Sequence, residues 1–334
     1  MRLKPQDTKK TITLETKKHL KSGSDLIVSY SGGKDSTAVC LRLFELGYTK
    51  EDFTRVFFDT GWESPETYNY LNRIENIIGP IDRVKTKIDI SEMHPAVREK
   101  LLDFESELGY ESPFLRKAFR VLMWPTHFRK WCTTDLKLNA YKKYLNDRNN
   151  DFISVVGVRR AESRSRANVL EWEWNDGFDS YIWRPLYLWD EEDVIKIHNR
   201  FGEIPNQLYL NGHSRVGCFP CIYANKSDIK NLPEYRIDFI LRVEKAIGDL
   251  MIKHKDLKPN LKEQMEKDKK NKGYYFRSFF GSRKAGLSAP IDELFEWSKT
   301  VRGGKQLMLF DTEEPSCAKW GLCSFTGNRA QKFK

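Results

Sequence analysis

The chain has 334 residues, 40% of them hydrophobic, 31% charged and 13% aromatic, with a formal net charge of +10. That is enough for one large domain or two ordinary ones with ample core, and no apolar run reaches the roughly 20 residues of a membrane span. The start, Met1 to Asp7, lacks the apolar stretch of a signal peptide, so a cytoplasmic location is expected and the six cysteines read as thiols or metal ligands, not disulfides.

In chain order, residues 9–21 read as a short basic helix. Leu26-Ile27-Val28 reads as a buried strand, and Thr37 to Phe44 as the first turns of a helix. Thr54 to Phe58 is a second strand, ending at Asp59-Thr60-Gly61. Residues 65–78 form a helix, with Pro65 in its first turn and Tyr68, Leu71, Ile74 and Ile78 at helical spacing. Ile81 to Val84 is a short strand, and Phe152 to Val158 suits a buried parallel strand. Asp190 caps a helix over 190–201, and helical segments recur near 226–252. Residues 253–272 are highly charged, with eight lysines, and 302–334 read as loop-rich. Strands alternating with helices imply an α/β fold with a doubly wound, mostly parallel sheet. A domain over 1–215 is expected, followed by a helical, basic, cysteine-bearing region over 216–334.

Between the first strand and helix lies Ser31-Gly32-Gly33-Lys34-Asp35-Ser36. Glycines let backbone N–H groups approach a phosphate, and the helix start adds unpaired donors and positive dipole. Lys34 adds a cation, and Ser31 and Ser36 add hydroxyls. A Walker A loop is excluded, because it needs glycine where Val28 stands and a hydroxyl residue where Asp35 stands. The stretch resembles the PP-loop of the ATP-pyrophosphatase superfamily. That resemblance implies a grip on the β,γ-pyrophosphate of ATP and cleavage between the α and β phosphates.

Three further segments resemble proteins related to phosphoadenosine-phosphosulfate (PAPS) reductase. They are Asp59 to Tyr68 (DTG-x-x-x-PETY), Arg129 to Lys137 (RxxCTxxLK) and Gly157 to Ser163 (GxRxxES). The resemblance spans roughly residues 20–245. It implies an adenine-nucleotide alpha-hydrolase-like fold. The ATP site expected from loop and resemblance comprises Ser29, Ser31, Gly32, Gly33, Lys34, Asp35, Ser36, Asp59, Thr60, Gly61, Arg159 and Arg164. Lys34, Asp35 and Ser36 are the expected catalytic residues, and Asp35 and Asp59 would face Mg²⁺. True sulfonucleotide reductases have a degenerate loop and a redox cysteine in an E-C-G-L-H tail, whereas here the tail reads Lys319-Trp320-Gly321-Leu322-Cys323-Ser324. The chain therefore resembles members that retain ATP chemistry, such as the Dnd- and Ssp-type DNA phosphorothioation proteins.

Cys218-Phe219-Pro220-Cys221 places two thiols at chelating distance. Cys132 and one of Cys317 or Cys323 would make four, enough for a [4Fe–4S] cluster or Zn²⁺. The family resemblance favours the cluster. Cys40, on an apolar helix face, reads as core. His94, His127, His198 and His213 show no ligand spacing and are assigned no role.

The net charge favours a polyanionic partner, DNA more than tRNA. Residues 269–284 hold six basic residues, no acid and five aromatics. Lys269, Lys270, Lys272, Tyr275, Arg277, Phe279 and Arg283 are the nucleic-acid candidates, with rings to stack on bases. The competing reading turns the aromatics into the core. Sulfur transfer would also call for a cysteine desulfurase or another sulfur-donor protein. The expected function is ATP-dependent adenylylation in sulfur transfer. The alternatives are a small-molecule sulfonucleotide reductase or sulfate-activating enzyme, and a partner-dependent nucleotide- or DNA-binding subunit.

Overall fold

A computed structural model describes residues 13–20, 23–148, 150–254, 278–280, 289–300 and 320. Helix α1 (Leu14–Leu20) leads into β1 (Asp25–Ser29), α2 (Lys34–Glu45), β2 (Phe53–Asp59), α3 (Pro65–Ile78) and β3 (Ile81–Lys85). Helices α4 (Pro95–Leu108) and α5 (Pro113–Val121) follow. The chain then coils at Trp131–Thr133, widens into a π turn over Thr134–Leu138 and continues as α6 (Asn139–Asn146). Next come β4 (Phe152–Val155), the hairpin β5 (Trp172–Asn175) and β6 (Ser180–Trp183), α7 (Glu191–Arg200) and α8 (Gln207–Leu210). The last elements are α9 (Lys226–Lys230), α10 (Glu234–Lys253) and α11 (Ile291–Ser298).

The six strands run in the order β3-β2-β1-β4-β6-β5, all parallel except β5 against β6. The chain winds outward from β1 to β3, then returns to the other side of β1 with β4. The carboxyl ends of β1 and β4 therefore flank the topological switch point, where open α/β sheets open a crevice. The expected doubly wound sheet is what forms. The continuous run from Phe152 stops being strand after Val155, just before the turn at Gly157.

Side-chain alternation sets the two faces of β1. Leu26 and Val28 pack with Val39, Leu41, Leu71, Ile74, Trp183 and Ile197. Ile27 packs on the other face with Val56, Tyr141 and Leu145. Local signals set the flanking helices. Ser64 accepts from the Glu66 N–H, Pro65 opens α3, and Gly79 closes it at φ 92°. Asp190 and Asp193 form a reciprocal capping box on α7.

A second, larger cluster lies away from the sheet. Trp62, Phe114, Trp124, Trp131, Phe239, Ile247, Phe279 and Ile291 all belong to it. The boundary expected at residue 215 falls inside this cluster, because residues on both sides of it share one core. No helix among the described residues is long and apolar enough to cross a membrane.

Candidate functional site

The loop Ser31–Ser36 stands at the switch point. Gly32 adopts φ +72°, which favours glycine, and a Cβ there would meet Thr67 at 3.3 Å. The Ser31 N–H donates to Ser36 Oγ at 3.2 Å, and Ser36 Oγ donates to the Gly33 carbonyl at 3.0 Å. The loop thus holds its shape by its own hydroxyls. Gly33 caps α2 with no side-chain hydrogen bond at the cap, and the first helical N–H, that of Lys34, is taken by Tyr209 Oη.

Asp35 Oδ1 accepts from Arg159 Nε at 2.6 Å, and Arg159 Nη1 donates to the Trp189 carbonyl at 3.4 Å. Arg159 is buried. The two motifs are forced together at Gly157, where a Cβ would lie 2.8 Å from the Asp35 carbonyl oxygen. Lys34 Nζ stands 3.8 Å from Asp35 Oδ2, 3.6 Å from Glu191 Oε1 and 4.8 Å from the Tyr209 ring centroid. Beyond it lie Arg166 and Arg215. Burial and the Arg215 and Arg159 charges push the Arg166 guanidinium down from its ordinary value. Carboxylates stand among these cations: Arg166 pairs with Glu162, Arg159 with Asp35, and Lys34 with Asp35 and Glu191.

Other expected residues are placed differently. Ser29 ends β1 half-buried. Asp59 Oδ1 accepts from the Gly61 N–H at 2.8 Å and from Tyr68 Oη at 2.7 Å. Thr60 is fully buried and gives its hydroxyl to Glu63 Oε1 at 2.7 Å, so its side chain braces the turn. The Gly61 carbonyl is held by Ser112 Oγ at 2.7 Å. Arg164 is exposed on a 3-10 turn with no ion pair among the described residues.

Phe279 takes the core reading of the two that the sequence left open. It is buried among Trp62, Phe114 and Trp124, with centroids 4.9 Å apart for Trp124, and offers no face to a base. Burial of a benzyl group outweighs any exposed role. Lys269, Lys270, Lys272, Tyr275, Arg277 and Arg283 lie outside the described residues.

Cys132, Cys218 and Cys221 gather around Lys137. Negative charge on Cys218 first, with burial opposing, then on Glu63, Cys132 and Cys221, raises the Lys137 ammonium above its ordinary value. Burial pushes the Cys218 thiol up to about 12, with Lys137 opposing, and burial also raises Cys132. The hairpin is fastened to the turn after β2: Glu63 bridges Cys218, and the Phe219 N–H donates to the Trp62 carbonyl at 2.8 Å. Arg236 stands 3.9 Å above the Trp62 ring and donates to the Phe219 carbonyl at 2.7 Å. Among the described residues no group of three or more His, Cys, Asp or Glu has metal-holding geometry. The trio therefore does not by itself fit a [4Fe–4S] cluster or Zn²⁺, and Cys317 and Cys323 lie outside the described residues. Cys40 is fully buried, as its apolar surroundings suggest.

Sequence reasoning missed three residues that grip the loop. His198 Nε2 lies 2.9 Å from the Lys34 carbonyl oxygen, which corrects its assignment to no role. Burial pushes its imidazole down to about 4, so it is neutral and donates. Asn206 Nδ2 donates to the Gly32 carbonyl at 3.4 Å, and Tyr209 Oη accepts the Lys34 N–H at 3.1 Å. All three lie more than 160 residues from the loop, and only the position of Asn206 before a short helix carried a local signal. A cleft of about 820 Å³ lies at the opposite end of the sheet beside Arg148, Trp174 and Tyr181, away from every motif.

The phosphoadenosine phosphosulfate reductase domain model matches residues 25–224. An uncharacterized 37.8 kDa protein of Escherichia phage 186 is 34% identical over 240 residues, covering 62% of this chain and 69% of that one. An adenosine 5'-phosphosulfate reductase of Streptomyces coelicolor is 28% identical over 166 residues, covering 50% of this chain and 60% of the reductase. A crystal structure of PAPS reductase from Candida auris aligns with a TM-score of 0.42 and 15% identity, over 66% of this chain and 97% of that one. The match to the family model takes in the loop, the DTG turn, the Cys132 segment, the arginine segment and the cysteine hairpin. The chain belongs to the phosphoadenosine phosphosulfate reductase domain family.

Proposed function

We propose that the chain is an ATP-dependent adenylylating enzyme of sulfur transfer. The observation that carries this reading is the loop itself: hydroxyl-braced, glycine-turned, opening onto the start of α2 and rimmed by Lys34, Arg166 and Arg215. Such a cradle suits the β,γ-pyrophosphate of ATP. An acceptor oxygen attacks the α-phosphorus, and the bond to the α–β bridging oxygen breaks. The electron pair leaves with pyrophosphate, where the loop N–H groups and Lys34 stabilise the charge. Mg²⁺, bound together with the nucleotide phosphates, would be held by Asp35 and Asp59 and would neutralise charge there. Arg159 keeps Asp35 oriented. The acceptor we propose is a nucleic-acid backbone phosphate, as in DNA phosphorothioation, consistent with the net charge of +10. Hydrosulfide, released from a donor protein's persulfide by a thiol reductant, then attacks the activated acceptor phosphorus; the S–P bond forms as the P–O bond to AMP breaks, and AMP leaves with the electron pair.

A second reading, reduction of a small sulfonucleotide, is supported by one feature: the Cys218–Cys221 hairpin is fastened beside the nucleotide crevice. The test is anaerobic protein with Mg-ATP, assayed for pyrophosphate and AMP against orthophosphate and ADP. DNA, tRNA and sulfate are added in separate arms. Pyrophosphate release stimulated by DNA supports the first reading. No ATP turnover, with sulfite released from adenosine 5'-phosphosulfate and a thiol reductant, replaces it with the second.

A further inference from the structure

Two acid-free segments meet beside the cysteine hairpin. Neither Arg116 to Thr134 nor Ile204 to Ser227 contains an Asp or Glu. The first carries the turn between α5 and Trp131. The Thr126 N–H donates to the Arg129 carbonyl at 3.0 Å and the Arg129 N–H donates to Thr126 Oγ1 at 3.0 Å, so the turn is locked at both ends. Phe128, within it, is 89% exposed, and Arg129 and Lys130 are exposed beside it. The second segment carries the hairpin. The Ala224 N–H donates to the Cys221 carbonyl at 2.8 Å, a turn that brings out Tyr223, 43% exposed.

Side chains tie the two segments into one rim. The His127 and Tyr223 rings meet edge to face with centroids 4.4 Å apart, and Lys130 Nζ stands 5.5 Å from the Tyr223 centroid. Arg215 Nη1 donates to the Tyr223 carbonyl at 3.4 Å and lies 3.9 Å from Cys221 Sγ. The next residue, Val216, stands against the phosphate loop: a Cβ on Gly33 would lie 3.8 Å from the Val216 Cβ. The rim therefore runs from the loop, past Cys221, to the Phe128 turn. The carboxylates that follow the two segments are engaged elsewhere. Asp135 pairs with Lys117 at 2.6 Å, and the buried Asp228 accepts the Ser214 N–H at 2.7 Å and the Asn225 N–H at 3.1 Å. Arg129, Lys130 and Arg215 have no ion pair among the described residues.

An exposed ring forgoes the stabilisation of burial, and neighbouring cations without counter-charges repel one another. The combination suits a ligand that brings flat apolar faces and negative charge together, which unpaired bases joined by phosphates do. We infer that this rim is the seat of a single-stranded nucleic acid, with Tyr223 and Phe128 stacking on bases and Arg129, Lys130 and Arg215 pairing with phosphates, so that a backbone phosphate is led past Cys221 toward the loop. The inference rests on the reading that a nucleic-acid phosphate is the acceptor, and it names where that acceptor docks.

The test uses the full chain and a fluorescently labelled single-stranded DNA oligonucleotide, with anisotropy read over a salt series and the duplex of the same sequence alongside. Wild-type affinity should fall with salt and favour the single strand. Arg129→Gln combined with Lys130→Gln should flatten the log–log salt slope by about 1.4, at about 0.7 per phosphate contact. Tyr223→Leu should weaken binding about five- to hundredfold and leave the slope as it was. Lys142→Gln combined with Lys143→Gln removes the same charge from α6, where Lys142 lines the cleft at the opposite end of the sheet, and should leave the slope near the wild type's. All five side chains are exposed, so melting temperatures should stay within a degree or two of the wild type. Equal flattening by the two double variants would mean diffuse attraction and overturn the inference. Wild-type affinity in Tyr223→Leu, or a duplex bound as tightly as the single strand, would overturn it too. In each of these cases the wild type still binds nucleic acid, so the acceptor reading survives. A wild type that binds neither strand form at low salt removes that reading together with the inference, and the two failures are told apart.

Discussion

Around β1 the groups that shape the crevice are neighbours in sequence: strand, loop and helix run from Asp25 to Glu45 without a break. Around Trp62 they are strangers. That ring stacks on Phe114 at 4.5 Å and on Phe279 at 6.1 Å, and carries Arg236 over its face. The sheet half is built by aliphatic alternation and local caps, and the helical half by aromatic contacts between distant segments. The first kind of order should tolerate single changes better than the second, because each aromatic ring there serves several neighbours at once. The nucleotide loop belongs to the tolerant half, and the cysteine hairpin hangs from the other.

The sharpest way to separate the halves is Trp62→Ala. It should cost about 3–5 kcal/mol of stability, with the loss centred on the hairpin, since Trp62 Nε1 also donates to the Pro220 carbonyl at 3.2 Å. Ile27→Val, at the equally buried heart of the sheet, should cost only about 0.5–1.5 kcal/mol. Chemical denaturation of both variants checks this, and equal losses would erase the contrast.

Next in size is Lys34→Ala, which should lower ATP turnover about 10²–10³-fold while leaving the melting temperature within a degree or two of the wild type. Asp35→Ala should do the same to turnover but also free Arg159, so its melting temperature should fall further. Steady-state pyrophosphate release beside thermal melts would expose any reversal of that order.

The halves should also answer pH in opposite directions. His198, on the loop side, has its folded pKa pushed down to about 4 from an ordinary value of 6.5. Its contribution is whole above about pH 6.5 and is lost as pH falls toward 4, up to about 3 kcal/mol. Glu244 anchors the helical half, accepting the Phe279 N–H at 2.6 Å and the Ile291 N–H at 3.1 Å. Burial pushes its carboxyl up to about 8 from 4.5. Its contribution is whole below about pH 4.5 and is lost as pH rises through 8. Glu244→Gln, the smallest effect, should cost about 1 kcal/mol near neutrality and flatten the alkaline limb. His198→Gln should flatten the acid limb and leave the alkaline one. Melting curves from pH 4 to 9 on both variants would show whether each limb belongs to its half.

Much of the nucleotide side was legible in the chain. SGGKDS between an apolar run and a helix specified its own conformation, because turn glycines, a helix start and hydroxyl braces act within six residues. The helix over Pro65–Ile78 was read to its ends, since Ser64, Pro65 and Gly79 are local signals. The β5–β6 hairpin escaped notice because its pairing depends on Trp172 stacking on Trp183 and on a neighbouring parallel strand. For Phe279 two readings stayed open, a stacking ring and a core ring, because its basic neighbours advertise a surface while the cavity it fills is made by the distant Trp62, Phe114 and Trp124.

The sequence by itself therefore determined the family and the order of strands and helices around the loop. Both follow from spacing and caps that act over a few residues. Only the tertiary structure decided which distant side chains hold the cradle and where the thiols meet. His198, Asn206 and Tyr209 reach the loop, and Cys132 meets the Cys218–Cys221 hairpin around Lys137, through packing across more than 80 residues of chain. Burial then sets the chemistry of these groups. It keeps His198 neutral and pushes Cys218 up to about 12, shifts that follow from the surroundings and not from the residue type.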